Sequence, residues 1–229
     1  MENIKIGQIV EVTKSFVNEN EVELQGKKGI VRLLYDEDPT EKDSFDEVLI
    51  EWTPESLDTF EKEYFYSAFE QEVSWTSYIL PTTVLTPTDE TLDENELAWK
   101  KQELFARLFL GGLPRGEANM IVKVFENPVD PKAMAPIDCW KAYLEKTLRF
   151  PVKVKVCYPY EDGDGPLKEN QKLKLTELNG VDKSLGILAE VTDGTASYVL
   201  PLQDLTGGDQ FGKDWKYIDA YGLWLVCNS

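Results

Sequence analysis

The chain has 229 residues, 42% of them hydrophobic, with ten Tyr, ten Phe and six Trp, enough to bury a core and too many for global disorder. It carries 42 acidic residues against 24 basic ones, a formal charge of −18, and no histidine. This balance repels nucleic-acid phosphate and anionic membrane, and it favours divalent cations, a basic protein partner or plain solubility. The lack of histidine removes the commonest general base, the commonest transition-metal ligand and the Ser-His and Cys-His nucleophile pairs. Cys139, Cys157 and Cys227 lie far apart with no C-x-x-C pair, and read as buried thiols of a reducing compartment rather than zinc ligands. The start "MENIKIGQIV" has no basic segment followed by an apolar run, and no stretch approaches membrane-spanning length. A soluble, cytoplasmic protein is expected.

Residues 6–85 read as an all-β module. "GQIVEVTKSF" alternates, and "KKGIVRLLY" and "DEVLIEW" follow as short β-branched runs separated by acidic or glycine-bearing turns. About five such strands suit a small barrel of SH3-like type. Beyond Pro87 the texture changes. Asp93 is a good N-cap with Glu96 three residues on, and Leu97, Lys101, Leu104, Phe105 and Leu108 keep a helical stripe up to the Gly111-Gly112 stop. "NPVDPKAMAP" reads as a linker, and a second helix starts near Asp138 with Trp140, Tyr143, Leu144 and Leu148 on one side.

From Phe150 the β pattern returns in "FPVKVKVCYPY", "QKLKLTEL", "LGILAEVTDG", "ASYVLPLQDL" and "YGLWLV". Lys153, Lys155, Lys172 and Lys174 mark a solvated face opposite Val152, Val154, Leu173 and Leu175. A weak repeat links the two β regions. "SYILPTTVL" (77–85) and "SYVLPLQDL" (197–205) share Ser-Tyr, an apolar pair, Pro and a final Leu, as expected where a barrel strand ends at a Pro that cannot extend the ladder. The predicted fold class is therefore mainly β with short helices. It comprises two small SH3-like barrels, 1–87 and 138–229, joined by a helix and Pro-rich linker over 88–137.

The chemistry concentrates in "YPYEDGDGPL" (158–167), where Glu161, Asp162 and Asp164 crowd around two glycines. An EF-hand loop starting at Asp162 would need an oxygen ligand at position five, Gly at six and Glu at twelve; the chain has Pro166, Leu167 and Leu173 there. It is not an EF-hand. Two readings stay open on the residues alone: a non-EF calcium loop, or a solvated turn. A divalent cation would relieve the repulsion among the three carboxylates, and partners must come from other loops. In a simple meander the first and third loops share an end, bringing Asp193 of "VTDGT" near. The second and fourth loops bring Asp182 toward Asp204 and Asp209. Gly163 and Gly165 give G-x-G without a third glycine, and neither a phosphate-binding loop nor G-x-S-x-G is present. Glu51 and Glu55 are close in sequence but read as solvated surface charge rather than an acid–base pair. No enzyme is expected.

One stretch carries a family likeness. "CWKAYLEKTLRFPVKVKVCYPYEDGDGPLKENQKLKLTEL" with "EVTDGTASYVLPLQDL" resembles the cyanobacterial-type calcium-binding (CcbP-like) family, small acidic cytoplasmic proteins with an SH3-like barrel. The shared features are Trp140, Tyr143, Leu144 and Glu145 on a helix, Phe150-Pro151 opening the strand that carries Cys157, Pro166-Leu167 after the acidic loop, and Pro201-Leu202 with Leu205. They span about 138–205; the first half lies outside them. The resemblance implies a calcium-binding protein, a buffer or sensor, with calcium as its cofactor. Loop position makes Glu161, Asp162, Asp164 and Asp193 the expected metal ligands. The alternative is a non-enzymatic interaction module of immunity or assembly type that binds a basic protein.

Overall fold

The computed structural model describes residues 4–19, 21–35, 46–71, 73–126, 133–157, 166–207 and 214–228. The protein is mainly β, with two separate five-stranded antiparallel sheets and several short helices. It divides into two compact units, Met1–Lys101 and Gln102–Ser229.

The first unit holds β1 (Ile9–Val12), β2 (Lys28–Tyr35), β3 (Glu47–Trp52), β4 (Ser77–Pro81) and β5 (Leu85–Pro87), ordered β4-β3-β2-β1-β5. Alternation places Val48, Ile50 and Trp52 of β3 in the core with Val10, Val12, Val31 and Leu80. A 3-10 helix, Thr82–Val84, turns the chain from β4 into β5, which returns to pair with β1. The stretch expected to be all-β also contains two helices, α1 (Pro54–Thr59) and α2 (Lys62–Glu70). The start of α1 is marked in the sequence: the Thr53 hydroxyl accepts from the Ser56 N–H and Pro54 occupies the first turn. Tyr64, Phe65 and Ala68 then bury one face of α2.

Helix α3 (Glu94–Leu108) starts where the sequence places it, with Asp93 Oδ1 accepting from the N–H groups of Asn95 (2.9 Å) and Glu96 (3.4 Å). The boundary between the units falls within it. A helix not anticipated from the sequence follows, α4 (Arg115–Val124), and then α5 (Pro136–Thr147). Residues 127–132 of the expected linker lie outside the described residues.

The second sheet comprises β6 (Val152–Val156), β7 (Lys172–Asp182), β8 (Gly186–Thr192), β9 (Ser197–Pro201) and β10 (Leu205–Thr206), ordered β10-β6-β7-β8-β9. This repeats the first order strand for strand. A 3-10 helix, Leu202–Asp204, again joins the fourth strand to the fifth. The repeated "SY[IV]LP" is this corner in both units: Leu80 and Leu200 are buried, Pro81 and Pro201 end their strands, and Leu85 and Leu205 enter the core. On β6 and β7, Lys153 faces Lys174 and Lys155 faces Lys172, while Val152, Val154, Leu173 and Leu175 are buried.

One strand expectation is corrected. "YGLWLV" is no strand but part of α6 (Trp215–Asn228). Ile218, Tyr221, Trp224 and Cys227 are buried at three-residue steps, a helical period that the six-residue window was too short to show. Trp140 of α5 meets Tyr221 and Trp224 at centroid distances of 5.7 Å, making an aromatic core under the sheet. The Tyr221 hydroxyl also accepts the Ile187 N–H at 2.8 Å. Beside it Gly186 has φ +73°, and a Cβ there would lie 2.4 Å from the Tyr221 hydroxyl. Gly186→Ala should therefore lower the unfolding free energy by about 2 kcal/mol, from left-handed backbone strain plus the clash; urea unfolding measures it, and a change under about 0.5 kcal/mol would refute the assignment.

Candidate metal site

Glu161, Asp162 and Asp164 lie outside the described residues; the structure describes where their loop leaves and re-enters the fold. It leaves at Cys157, just past β6. There the ladder with β10 continues, since the Cys157 N–H donates to the Asp204 carbonyl at 2.7 Å. The second glycine-rich acidic segment, 208–213, leaves one residue past β10, at Gly207. A Cβ on Gly207 would come within 2.0 Å of Trp215 Cβ, so only glycine lets the chain pass α6 here.

Two carboxylates stand at this root. Asp204 is half-buried, no described group donates to its side chain, and burial pushes its carboxyl above the usual range. Asp219, on α6, accepts from the Thr206 hydroxyl at 3.0 Å. Burial is also the main cause that raises it, with Glu117 adding to the rise and Thr206 and Lys155 opposing it. Both carboxylates act on the Cys157 thiol, which is pushed up first by burial and then by Asp219. Burial likewise raises Cys139 and Cys227. All three thiols are therefore poor nucleophiles and poor metal ligands at neutral pH.

Asp193 is described, and its oxygens are engaged by its own turn. Oδ1 accepts from the Thr195 N–H (2.8 Å), the Thr195 hydroxyl (2.7 Å) and the Ala196 N–H (2.9 Å), while Oδ2 takes the Tyr198 hydroxyl at 3.4 Å. These bonds, the Thr195 hydroxyl first, hold its carboxyl down at about 2. By register Thr192 faces Lys174 of β7, so the turn lies at the sheet end where the acidic loop rejoins the sheet. Asp182 similarly caps its turn, accepting from the N–H groups of Ser184 and Leu185. Gln203 donates to the Leu185 carbonyl at 3.0 Å, so this second turn neighbours the 3-10 segment that carries Asp204. Asp209 lies outside the described residues.

Among the described residues no group of three or more His, Cys, Asp or Glu is arranged to hold a metal. What the described part offers is a pair of half-buried carboxylates at the root of the acidic loop. Their burial is unfavourable for a lone charge and suits a hard, oxygen-seeking cation. Sequence reasoning did not single out Asp219, because the helix that carries it was read in part as a strand. Asp204 was named only with the second group of loops.

Comparison with known proteins bears on the same region. Residues 120–225 match the model of the CcbP family, described as calcium binding. The C-terminal half resembles this family. Two solved structures are similar to the chain. The crystal structure of Anabaena CcbP has 17% identity and a TM-score of 0.33, covering 61% of this chain and 95% of its own. A calcium binding protein in the calcium-binding form has 16% identity and a TM-score of 0.33, covering 59% of this chain and 96% of its own. No curated protein matches the chain. The CcbP-like match takes in α5, the whole second sheet and most of α6, hence both roots of the acidic loop.

Proposed function

We propose that this is a non-enzymatic, cytoplasmic calcium-binding protein, a buffer or sensor, whose C-terminal half holds the ion. The observation that carries this reading is the match of residues 120–225 to a family described as calcium binding. Glu161, Asp162 and Asp164 supply oxygens from the loop, Asp204 and Asp219 from its root, and Asp193 its second oxygen from the neighbouring turn. An irregular loop with glycine-spaced carboxylates suits the flexible six-to-eight-oxygen shell of calcium better than the strict octahedron of magnesium. The absence of histidine and the three raised thiols support a role without catalysis.

Each sheet is read as an SH3-like barrel, supported by the shared strand order and the 3-10 helix before each last strand. The domain plan proposed with it is 1–87, 88–137 and 138–229, the division between the two compact units falling inside the middle segment. In the described residues no helix is long and apolar enough to cross a membrane.

Titration calorimetry of the full chain with calcium, repeated in excess magnesium, tests the function. Heat of binding that survives magnesium is expected, and the variant carrying both Asp162→Asn and Asp164→Asn should lose it. Binding only to the native state also raises stability, by about 2.7 kcal/mol at a hundredfold excess over Kd. The absence of both heat and a calcium-specific thermal shift would overturn the reading. Binding that is unchanged in the double variant would reduce "YEDGDGP" to a solvated turn.

A further inference from the structure

In the first unit, β4 is an edge strand with no partner beyond it among the described residues. Its free polar groups can be assigned. The Trp52 N–H donates to the Thr76 carbonyl and the Thr82 N–H to the Asp46 carbonyl, both at 2.8 Å. With Ile50 facing Tyr78 and Leu49 facing Ile79, Tyr78 and Leu80 bond inward to β3. The N–H and C=O of Ser77 and Ile79, and the C=O of Pro81, point out from the edge.

A groove of about 570 Å³ runs beside this edge. Phe16, Leu49, Tyr78 and Ile79 line it, and Phe16 meets Tyr78 edge to face at 6.3 Å. Ile79 is 44% exposed, apolar surface that an edge strand would ordinarily guard with charge. The charges present are of one sign: Glu19 and Glu47 line the groove and no described lining residue is basic. Glu19 is held in place by the Tyr78 hydroxyl, which donates to it.

We propose that the β4 edge and this groove dock an extended, basic segment of a partner protein. The segment adds a strand to β4, with alternate aliphatic side chains against Ile79 and Leu49 and its Lys or Arg side chains near Glu19 and Glu47. Main-chain bonds supply affinity and the alternation supplies register. The acidity of the whole chain, −18, speeds encounter with such a segment and disfavours a second copy as occupant.

A random dodecapeptide library displayed on phage and selected against the intact protein tests this, followed by fluorescence anisotropy of the selected peptides. Enrichment of peptides alternating Lys or Arg with aliphatic residues is expected. Ile79→Lys should weaken them at least tenfold, and Glu19→Gln with Glu47→Gln at least fivefold, with rising salt acting in the same direction. Val199→Lys is the control on the equivalent edge strand β9, where Val199 is 48% exposed, and should leave binding unchanged. Thermal melts check that each variant remains folded. No enrichment, enrichment of acidic or uncharged peptides, or affinity indifferent to both sets of groove changes overturns the proposal. So does self-association of the chain that Ile79→Lys abolishes, since the occupant would then be a second copy.

Discussion

Changing Asp204 and Asp219 to Asn together is expected to weaken calcium binding at least a hundredfold, or about 2.7 kcal/mol, while leaving the calcium-free protein as stable as the parent or more so. The two effects have one cause. Both carboxyls are raised, chiefly by burial, and Asp204 has no described donor to its side chain. A carboxyl raised in the folded state holds its proton more tightly there than in the unfolded chain. Stability from these groups is therefore highest at low pH and falls as pH climbs from the ordinary carboxylate range, near 4, through the raised folded values. At neutral pH the calcium-free protein carries two poorly solvated charges, a penalty that a cation bound between them would turn into affinity. Asn keeps an acceptor for the Thr206 hydroxyl that now bonds Asp219, so the fold has little to lose. Calorimetric titration gives the affinity, and urea unfolding at pH 5 and pH 7.5 gives the stability. Unchanged calcium affinity would remove both residues from the site. A calcium-free variant clearly less stable than the parent would mean that the carboxylates are held by partners rather than stranded.

The elements legible in the sequence were those whose signal is local. The Asp93 cap, the stripe through Leu97, Leu104, Phe105 and Leu108, and the two Ser-Tyr strand ends need only a few neighbouring residues to be recognised, and the structure places them as expected. The misread or missed elements were α1, α2, α4 and α6. In α6 a six-residue apolar run fits a strand as well as a helix, and only the longer window from Trp215 shows Ile218, Tyr221 and Trp224 on one face. Helix α1 is six residues long, too short for its apolar period to stand out from the β texture around it, and only its Thr53-Pro54 start marks it.

Loop position gave less about the site. Grouping loops by meander end correctly put the Asp182 turn beside the segment of Asp204. It could not show that Asp182 and Asp193 hold down their own turns. Short Asp-bearing turns bond themselves first, because an Asx side chain reaches the N–H two or three residues ahead. Nor does a strand diagram contain α6, whose Asp219 reaches the Thr206 hydroxyl at the strand end from which the second acidic segment leaves. Such a carboxylate is found by packing, not by spacing.

Glu51 shows the same lesson with the opposite electrostatic sign, and its replacement by Ala should cost about 3 kcal/mol of stability. The sequence reads it as a solvated surface charge. The structure leaves its side chain only 14% exposed, with Oε1 accepting from Lys101 Nζ at 2.8 Å and Oε2 from Arg32 Nε at 2.7 Å. Arg32 in turn holds Glu94 through two further bonds of 2.8 and 2.7 Å, so one carboxylate of β3 ties β2 to the first turns of α3. Burial alone would raise Glu51, but Lys101 and then Arg32 outweigh it and hold the carboxyl below its ordinary value. A depressed carboxyl contributes stability that is present above the unfolded value, near 4.3, and is lost as pH falls through the lower folded one. Glu51→Gln, which keeps the shape but not the charge, should therefore cost about 2 kcal/mol at pH 7, and its deficit against the parent should shrink as the pH is taken below 4. Urea unfolding of parent and Glu51→Gln at pH 7 and pH 3.5 reads this directly. A deficit that stays constant between the two would show that Glu51 acts through packing and neutral hydrogen bonds, and that its charge contributes nothing to holding α3 on the sheet.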